Sequence, residues 1–225
     1  DMIYGFFVES RGKRQMSALF AQYVPPELVD QMALDPSAYS MVPVERELTV
    51  LFADIVGFTA FSQLVSPEVM VDVLNDLFTR FDHIAERRGL EKIKTIGDSY
   101  MAAAGLPVVV SDHADRAANM ALDMLLTIQD FNASAQYPLN IRIGMSTGAA
   151  VAGIIGKSKF LYDLWGDVVN TASRMESHGF AGRIQISESA REALTQSFSL
   201  EHRGFIEVKG KGEMSTWYLN STTFN

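Results

Sequence analysis

The sequence predicts an α+β fold in which a mainly antiparallel β-sheet is flanked by helices. Apolar strand-like runs and amphipathic helical runs follow one another in the order β-α-ββ-α-β, which is the order of a ferredoxin-like sandwich. Further strand-like runs follow at the C-terminal end. The length of 225 residues, of which 48% are hydrophobic and 20% charged, suits one domain with an ordinary core plus an appendage.

The first half of this pattern has clear start and stop signals. Leu48–Phe52 is a short apolar run with β-branched residues and predicts a buried strand. Ser66 followed by Pro67 predicts the start of a helix, and Gly89 predicts its end. Two apolar-rich runs within Glu91–Ala103 flank a Gly-Asp-Ser turn, which predicts a hairpin.

The second half continues with an alanine-rich helix over Asp112–Phe131 and a strand over Leu139–Thr147. Gly148, Gly153 and Gly156 then predict two further short strands or a hairpin. The remaining predicted elements are a helix over Asp167–Ser177, a strand over Arg183–Ile186, a short helix over Ser187–Leu194 and two strands around a Lys209–Gly212 turn.

Composition argues against several classes of protein and site. The formal net charge of −8 argues against a broad nucleic-acid-binding surface. Without cysteine, the chain offers neither a disulfide framework nor a zinc–thiolate site. The four histidines form no pair with ligand spacing, and no stretch approaches the roughly 20 apolar residues of a membrane-spanning helix.

Two aspartates are the first candidate functional residues. Asp54 lies at the end of the first predicted strand, and Asp98 lies in the turn of the predicted hairpin. A hairpin tip beside the first strand would bring the two carboxylates together. Two carboxylates can hold two metal ions roughly 4 Å apart, and such ions can clamp the attacking and leaving oxygens of a phosphoryl transfer. Gly57 permits a tight turn whose backbone N–H groups can point at an anion.

Three motifs in order make a family resemblance specific. LFADIVGFT (Leu51–Thr59), KTIGDSY (Lys94–Tyr100) and YDLWGDVVNTASRM (Tyr162–Met175) together resemble the catalytic domain of class III nucleotide cyclases. The resemblance extends from about Glu45 to the C-terminus. It implies a catalytic domain over residues 45–225, preceded by a membrane-proximal linker over residues 1–44.

The resemblance implies a site with two divalent metal ions, Mg²⁺ or Mn²⁺. Asp54 and Asp98 would hold them, with the backbone carbonyl of Ile55 as a further ligand. Five residues match positions that hold the triphosphate: Gly57, Phe58, Thr59, Arg142 and Lys209. Phe58 and Thr59 belong to the loop that resembles the family's triphosphate-holding turn. Lys211 could replace Lys209 in register. Taken alone, Arg142 would be interpreted as a solvent-facing arginine of a strand.

The same resemblance implies which residues are catalytic and which nucleobase the substrate carries. Asn170 and Arg174 are spaced i, i+4 on one helix face, where the family orients the ribose and stabilises the pentavalent phosphate. Lys94 and Asp163 match the pair that reads adenine, since Asp accepts from the exocyclic amine and Lys donates to N1. Guanylyl cyclases of the family have Glu and Cys at these two positions. ATP is therefore the expected substrate, and cyclic AMP and pyrophosphate are the expected products.

In the family, the base-reading and catalytic residues act with the metal aspartates of a partner subunit. Lys94, Asp163, Asn170 and Arg174 would therefore face Asp54 and Asp98 of a second copy. One chain that holds both sets is expected to form a head-to-tail homodimer with two equivalent composite sites. A monomer is expected to be inactive.

The N-terminal segment indicates a membrane connection. Met2–Val8 is apolar and aromatic and is followed by three basic residues, which is typical of a membrane helix that exits into the cytoplasm. An amphipathic dimer helix is the alternative. Phe20–Val29 resembles the linker that precedes the cyclase domain in bacterial receptors with a CHASE2-type sensor. The chain would then be the cytoplasmic domain of a bacterial inner-membrane protein, with an upstream sensor and transmembrane segment.

Other readings of the sequence are a guanylyl or relaxed-specificity cyclase and a catalytically silent module that dimerises or senses nucleotides. Degenerate members of the family usually lose a metal aspartate or the Asn/Arg pair, and neither is lost here. A diguanylate cyclase palm would show a GGDEF-like hairpin, which Ile96–Tyr100 is not. A polymerase palm would favour a basic template groove, which the net charge argues against.

Overall fold

The computed structural model describes residues 25, 43–155, 161–196 and 198–222 of the chain. Within these ranges the strands are β1 Val44–Val56, β2 Glu91–Ile96, β3 Ser99–Ala104, β4 Asn140–Ile155, β5 Leu161–Trp165, β6 Ile184–Ser187, β7 Phe198–Val208 and β8 Gly212–Thr222. The helices are α1 Phe58–Leu64, α2 Pro67–Arg88, α3 His113–Asn132, α4 Asp167–Ser177 and α5 Glu188–Ala193.

The strands form a sheet in the order β2-β3-β1-β4-β6-β8-β7, with β5 paired to β4. β3 is antiparallel to β1 and β2, and β8 is antiparallel to β6 and β7, whereas β4 and β6 are parallel. The first four strands have the order of a ferredoxin-like βαββαβ core, and the later strands extend it. The predicted α+β fold with a mainly antiparallel sheet is confirmed.

Local capping determines where α2 begins and ends. The side chain of Ser66 accepts a hydrogen bond from the backbone N–H of Val69, and Pro67 occupies the first turn, where a missing N–H costs nothing. Gly89 ends the helix in the left-handed region at φ 71°. The predicted start and end of this helix are confirmed.

One face of the sheet packs against α2 and α3. Leu51, Ala53 and Ile55 alternate onto this face of β1 and belong to the main core cluster. On α3, Ala117 and Ala121 are fully buried in the same cluster. Their small side chains leave room for the helix backbone close to the strands.

Two predictions of local structure are wrong. Phe58 and Thr59 do not lie in a loop, because Gly57 (φ 76°) leads directly into α1. Gly148 does not end a strand: β4 runs without a break through Gly148 and Gly153, and β5 pairs with β4. Glycine in extended conformation satisfies the sheet ladder as well as any other residue, so these glycines do not interrupt β4. Gly156, the third glycine of this prediction, lies outside the described residues.

The chain divides into two compact units. One comprises Arg46–Ala150 with Trp165–Asn225, and the other includes Val151–Leu164. The predictions on Met2–Val8 and Phe20–Val29 lie outside the described residues. In the part of the chain that the structure describes, no helix has both the length and the hydropathy needed to cross a membrane.

Asp123 joins α3 to the end of α2, and its loss is expected to destabilise the fold. Its carboxylate accepts hydrogen bonds from Arg88 (2.8 and 3.1 Å) and Arg87 (3.0 Å), and its side chain is 17% exposed. Burial alone would raise the pKa of Asp123, but the two guanidinium groups outweigh burial and hold this pKa below its ordinary value. We expect Asp123→Asn to lower the free energy of unfolding by about 1–2 kcal/mol near neutral pH.

The pH dependence follows from the lowered pKa. A carboxyl group with a depressed folded-state pKa stabilises the fold above its unfolded-state pKa, and this contribution is lost as the pH falls through the folded-state pKa. Urea denaturation should therefore show the difference between Asp123→Asn and the wild type shrinking in acid. The control is Asp76→Asn, which breaks a half-exposed i, i+4 pair with Arg80 and should cost less than about 0.5 kcal/mol. Equal losses in both variants would contradict this account.

Candidate active site

Asp54 and Asp98 lie side by side near one end of β1. β1 and β3 pair antiparallel with Asp54 opposite Ser99, so Asp98, in the preceding turn, is adjacent to Asp54. Burial raises the pKa of Asp54, and the nearby charge of Asp98 raises this pKa further, while Arg142 opposes both effects. The hairpin brings the two carboxylates together as expected, and their role as metal ligands stays a prediction.

The donor set fits two hard divalent cations. Ile55 follows Asp54 with its side chain buried in the core, so only its backbone carbonyl can serve as a ligand. Among the described residues, no group of three or more His, Cys, Asp or Glu side chains is arranged to hold a metal ion. Magnesium is usually held by one or two carboxylates together with substrate phosphates, so two adjacent aspartates and a carbonyl suit it.

Arg142 lies on β4, the strand on the other side of β1 from the Asp98 hairpin. Its Nη2 donates to Oδ2 of Asp54 at 2.9 Å, and its Nε donates to Oε1 of Glu176 on α4. Its predicted contact with the triphosphate is untested. The prediction of a solvent-facing arginine is wrong, because the side chain is 31% exposed and paired on two sides.

The sequence interpretation missed Glu176. Its side chain is 9% exposed, and burial raises the pKa of its carboxyl group; Arg142 opposes this shift, and the charges of Asp54 and Asp98 add to it. A signal was present in the sequence: Glu176 lies four residues after Ala172 on the apolar stripe of α4. A charged residue at such a position is rarely buried without a partner.

Gly144 lets α4 approach β4 at this point. A Cβ added at Gly144 would lie 1.9 Å from the backbone nitrogen of Glu176 and 2.6 Å from the carbonyl oxygen of Ala172. No side-chain rearrangement could relieve a contact with backbone atoms. The glycine therefore places the start of the Glu176 side chain directly over the sheet, two residues along β4 from Arg142.

Asn170 and Arg174 lie on the exposed side of α4. Val168, Ala172 and Met175 are buried, whereas Asn170 and Arg174 are exposed. Successive residues of an α-helix are about 100° apart, so Arg174 lies about 200° around the axis from Glu176. Because Glu176 faces the Arg142–Asp54 pair, Arg174 points away from the aspartates of its own chain.

The two predicted base-reading residues lie on different strands. Lys94 is on β2, opposite Met101 of β3, and is partly exposed. Asp163 is on β5, is 8% exposed, and its Oδ1 accepts a hydrogen bond from the backbone N–H of Leu164 at 2.8 Å. Asp163 belongs to the unit that includes Val151–Leu164, whereas Lys94 belongs to the other unit.

The remaining predicted phosphate contacts lie in two places. Gly57 and the first residues of α1, Phe58 and Thr59, follow β1 directly, and α1 has no side-chain cap at its start. Lys209 is exposed in the turn between β7 and β8. The alternative Lys211 forms an ion pair with Asp167 at the start of α4, and this favours Lys209.

Comparison with known proteins agrees with the fold and the motifs. Residues 42–221 match the family model described as the adenylate and guanylate cyclase catalytic domain. An adenylate cyclase of Mycobacterium tuberculosis is 42% identical over 202 residues, which cover 90% of this chain and 45% of the relative. The chain thus spans less than half the length of the curated relatives it matches.

Two solved structures extend this comparison. The guanylate cyclase domain of RhGC from Catenaria anguillulae, in complex with GTP, is 42% identical, with a TM-score of 0.77 over 80% of this chain and all of that one. The non-canonical dimeric guanylyl cyclase domain of the RhoGC fusion protein from Blastocladiella emersonii is 40% identical, with a TM-score of 0.74 over 80% of this chain and 99% of that one. The protein therefore belongs to the adenylate and guanylate cyclase catalytic domain family, whose members generally use two divalent metal ions.

Proposed function

We propose that this chain is an adenylate cyclase domain that converts ATP to 3′,5′-cyclic AMP and pyrophosphate. The adjacent carboxylates of Asp54 and Asp98 support the cyclase chemistry, because they are hard oxygen ligands next to a turn predicted to hold the triphosphate. Two divalent metal ions bound there would lower the pKa of the 3′-hydroxyl and neutralise charge on the transferring phosphate.

The protein's own residues would orient the reacting groups. Asn170 would hold the ribose so that the 3′-oxygen lies in line with the α-phosphate, and Arg174 would stabilise charge on the pentavalent phosphate. Lys209 and Arg142 would bind the β- and γ-phosphates, which leave as pyrophosphate. Gly57 and the backbone of Phe58 and Thr59 would supply further donors to the triphosphate.

Lys94 and Asp163 carry the choice of ATP over GTP. The adenine edge offers an exocyclic amine that donates and an N1 that accepts, which complement a carboxylate and an ammonium group. Guanine presents a carbonyl oxygen and a protonated N1, so the same two side chains would meet it donor to donor and acceptor to acceptor. Leaving buried polar groups unpaired in this way discriminates strongly between substrates. The bond from Leu164 N–H to Asp163 supports an oriented carboxylate.

The site is proposed to be shared across a head-to-tail homodimer. The direction of Arg174, about 200° around α4 from Glu176, supports this, since Arg174 then points away from the Asp54 of its own chain. A related guanylyl cyclase domain is described as a non-canonical dimer in one structure and as monomeric in another. We further propose that residues 1–44 link this domain to an upstream CHASE2-type sensor and a membrane segment in a bacterial inner-membrane protein.

Substrate preference tests the proposal directly. With Mn²⁺ present, we expect kcat/KM of the wild type for ATP to exceed that for GTP by at least about tenfold. In Lys94→Glu/Asp163→Cys the ratio of the two kcat/KM values should fall by about 10²-fold or more, because both base contacts then suit guanine. Rates of cyclic AMP and cyclic GMP formation give both numbers.

Lys92→Glu is the matched control for this change of charge. Lys92 is on the same strand as Lys94 and pairs with Asp82 at 2.8 Å, so the variant should leave the ATP-to-GTP ratio unchanged. A wild type that prefers GTP would make the protein a guanylate cyclase, a reading favoured by the 42% identity to a guanylate cyclase domain. Turnover of neither nucleotide by the dimer would favour the silent sensing module.

A further inference from the structure

Arg142 joins two carboxylates that belong to different elements. Its guanidinium donates to Asp54 on β1 at 2.9 Å through Nη2, and to Glu176 on α4 through Nε. The three side chains are 31%, 18% and 9% exposed respectively. Charge-assisted hydrogen bonds in such a partly buried setting are stronger than those between exposed side chains.

The cluster is rich in negative charge. Burial raises the pKa of Asp54 and of Glu176, and the charge of Asp98 raises both further, whereas Arg142 lowers both. Arg142 thus partly neutralises the carboxylates that are proposed to bind divalent cations. It occupies one oxygen of Asp54, so Arg142 and a cation compete for the same carboxylate.

Glu176 is suited to hold Arg142 and not to bind the metal. It forms no group of three or more metal-binding side chains with the two aspartates, as judged over the residues that the structure describes. Its backbone nitrogen lies against Gly144, so the start of its side chain is fixed over β4 beside Arg142. Because Glu176 accepts from Nε, it does not occupy the Nη groups of Arg142, and Nη2 donates to Asp54.

We propose that Arg142 is a displaceable internal counter-cation of Asp54, and that Glu176 is the positioning residue that retains Arg142 at the site once Asp54 binds a divalent cation. Arg142 then gives up its bond to Asp54, keeps its bond to Glu176, and turns Nη2 from Asp54 to the polyphosphate of the substrate. Glu176 acts on the substrate only through Arg142. The inference rests on the proposed metal site and nucleotide substrate.

Mn²⁺ binding without nucleotide tests the first half, with free Mn²⁺ measured by electron paramagnetic resonance. Arg142→Gln removes the competitor of the cation, so Mn²⁺ should bind about tenfold more tightly than to the wild type. In Glu176→Gln, Arg142 keeps only Asp54 of its two carboxylate partners. Because Arg142 then competes more strongly for Asp54, Mn²⁺ should bind several-fold more weakly than to the wild type. Arg80→Gln removes the same charge from an exposed pair on α2 and should change nothing.

Asp54→Asn locates the measured ion. If the Asp54→Asn variant no longer binds Mn²⁺, the cation binds at the carboxylate to which Arg142 donates. Two results would overturn the proposal. One is an Mn²⁺ affinity that Asp54→Asn does not change, and the other is an equal Mn²⁺ affinity of the Arg142→Gln and Arg80→Gln variants. These binding measurements need no turnover, so a protein that binds Mn²⁺ as expected but makes no cyclic nucleotide would refute the proposed function and leave the counter-cation role standing.

A double-mutant cycle on KM for the nucleotide tests the second half. Glu176→Gln should raise KM about tenfold with a smaller effect on kcat, because Arg142 is no longer held toward the polyphosphate. In the Arg142→Gln background, the same substitution should change KM less than twofold, on the order of the coupling error. Additive effects on KM would overturn the positioning role, since Glu176 would then act without Arg142.

Discussion

An equimolar mixture of two inactive variants, Asp54→Ala and Arg174→Ala, is expected to form cyclic AMP from ATP and Mn²⁺, although neither variant does so alone. Each variant alone should lose about 10³-fold or more in kcat, because one lacks a proposed metal ligand and the other lacks the arginine that is proposed to stabilise the phosphate. In a mixed dimer, one composite site has both defects and the other has none.

The size of the recovery is set by symmetry. Random exchange makes about half of the dimers mixed, and each mixed dimer has one intact site of two, so about a quarter of wild-type activity should return. The geometry behind this expectation is the opposite placement of Arg174 and Glu176 on α4, with Glu176 facing the Asp54 side. Cyclic AMP formation is followed after the variants are mixed and incubated.

A matched mixture distinguishes shared sites from other causes of recovery. Asp54→Ala mixed with Asp98→Ala should remain inactive, because each chain then lacks one of the two proposed metal ligands and no composite site is intact. Recovery in this control, or no recovery in the first mixture while the wild type is active, would contradict the model of sites shared between chains.

The substitution Gly144→Ala is expected to destabilise the protein severely and to abolish activity. The added Cβ would lie 1.9 Å from the nitrogen and 2.5 Å from the Cα of Glu176, and 2.6 Å from the carbonyl oxygen of Ala172. All three are backbone atoms of α4, so the helix must move away from the sheet. Overpacking of this kind costs about 3 kcal/mol or more, which thermal or urea denaturation will measure.

Gly148→Ala is the control on the same strand. Gly148 has no positive φ, and an added Cβ would meet the side chain of Val168 at 3.5 Å, which is an ordinary contact. This variant should change the free energy of unfolding by less than about 1 kcal/mol. If the two alanine variants were equally stable, the close approach of α4 at Gly144 would not be a constraint on the fold.

Local signals in the sequence predicted most of the elements. Ser66, Pro67 and Gly89 delimit α2 through caps that operate within a few residues, and the periodicity of α3 and α4 places their helices correctly. The errors arose where tertiary context overrides local propensity. Glycine in β4 was interpreted as a break, but the sheet accepts Gly148 in extended conformation, and Gly144 is required there by the packing of a helix.

The site was predictable in its residue types and less so in its contacts. Asp54 and Asp98 could be brought together from the sequence, because a hairpin tip beside a strand leaves few alternatives. Glu176 was missed because an acidic residue near a helix end is usually solvated, and its partner is 34 residues away along the chain. Its position on the buried stripe of α4 was the available signal.

The sequence by itself determined the local chemistry of this protein: the capped helices, the hairpin aspartate, and the basic and acidic side chains of Lys94 and Asp163, which are proposed to read adenine. The tertiary structure alone decided that Arg142 pairs with Asp54, 88 residues away, and with Glu176. Caps and turns depend on neighbouring residues. The ion pairs of Arg142 depend on the strand order that sets β4 beside β1, and on Gly144, whose missing side chain lets α4 pack closely against β4.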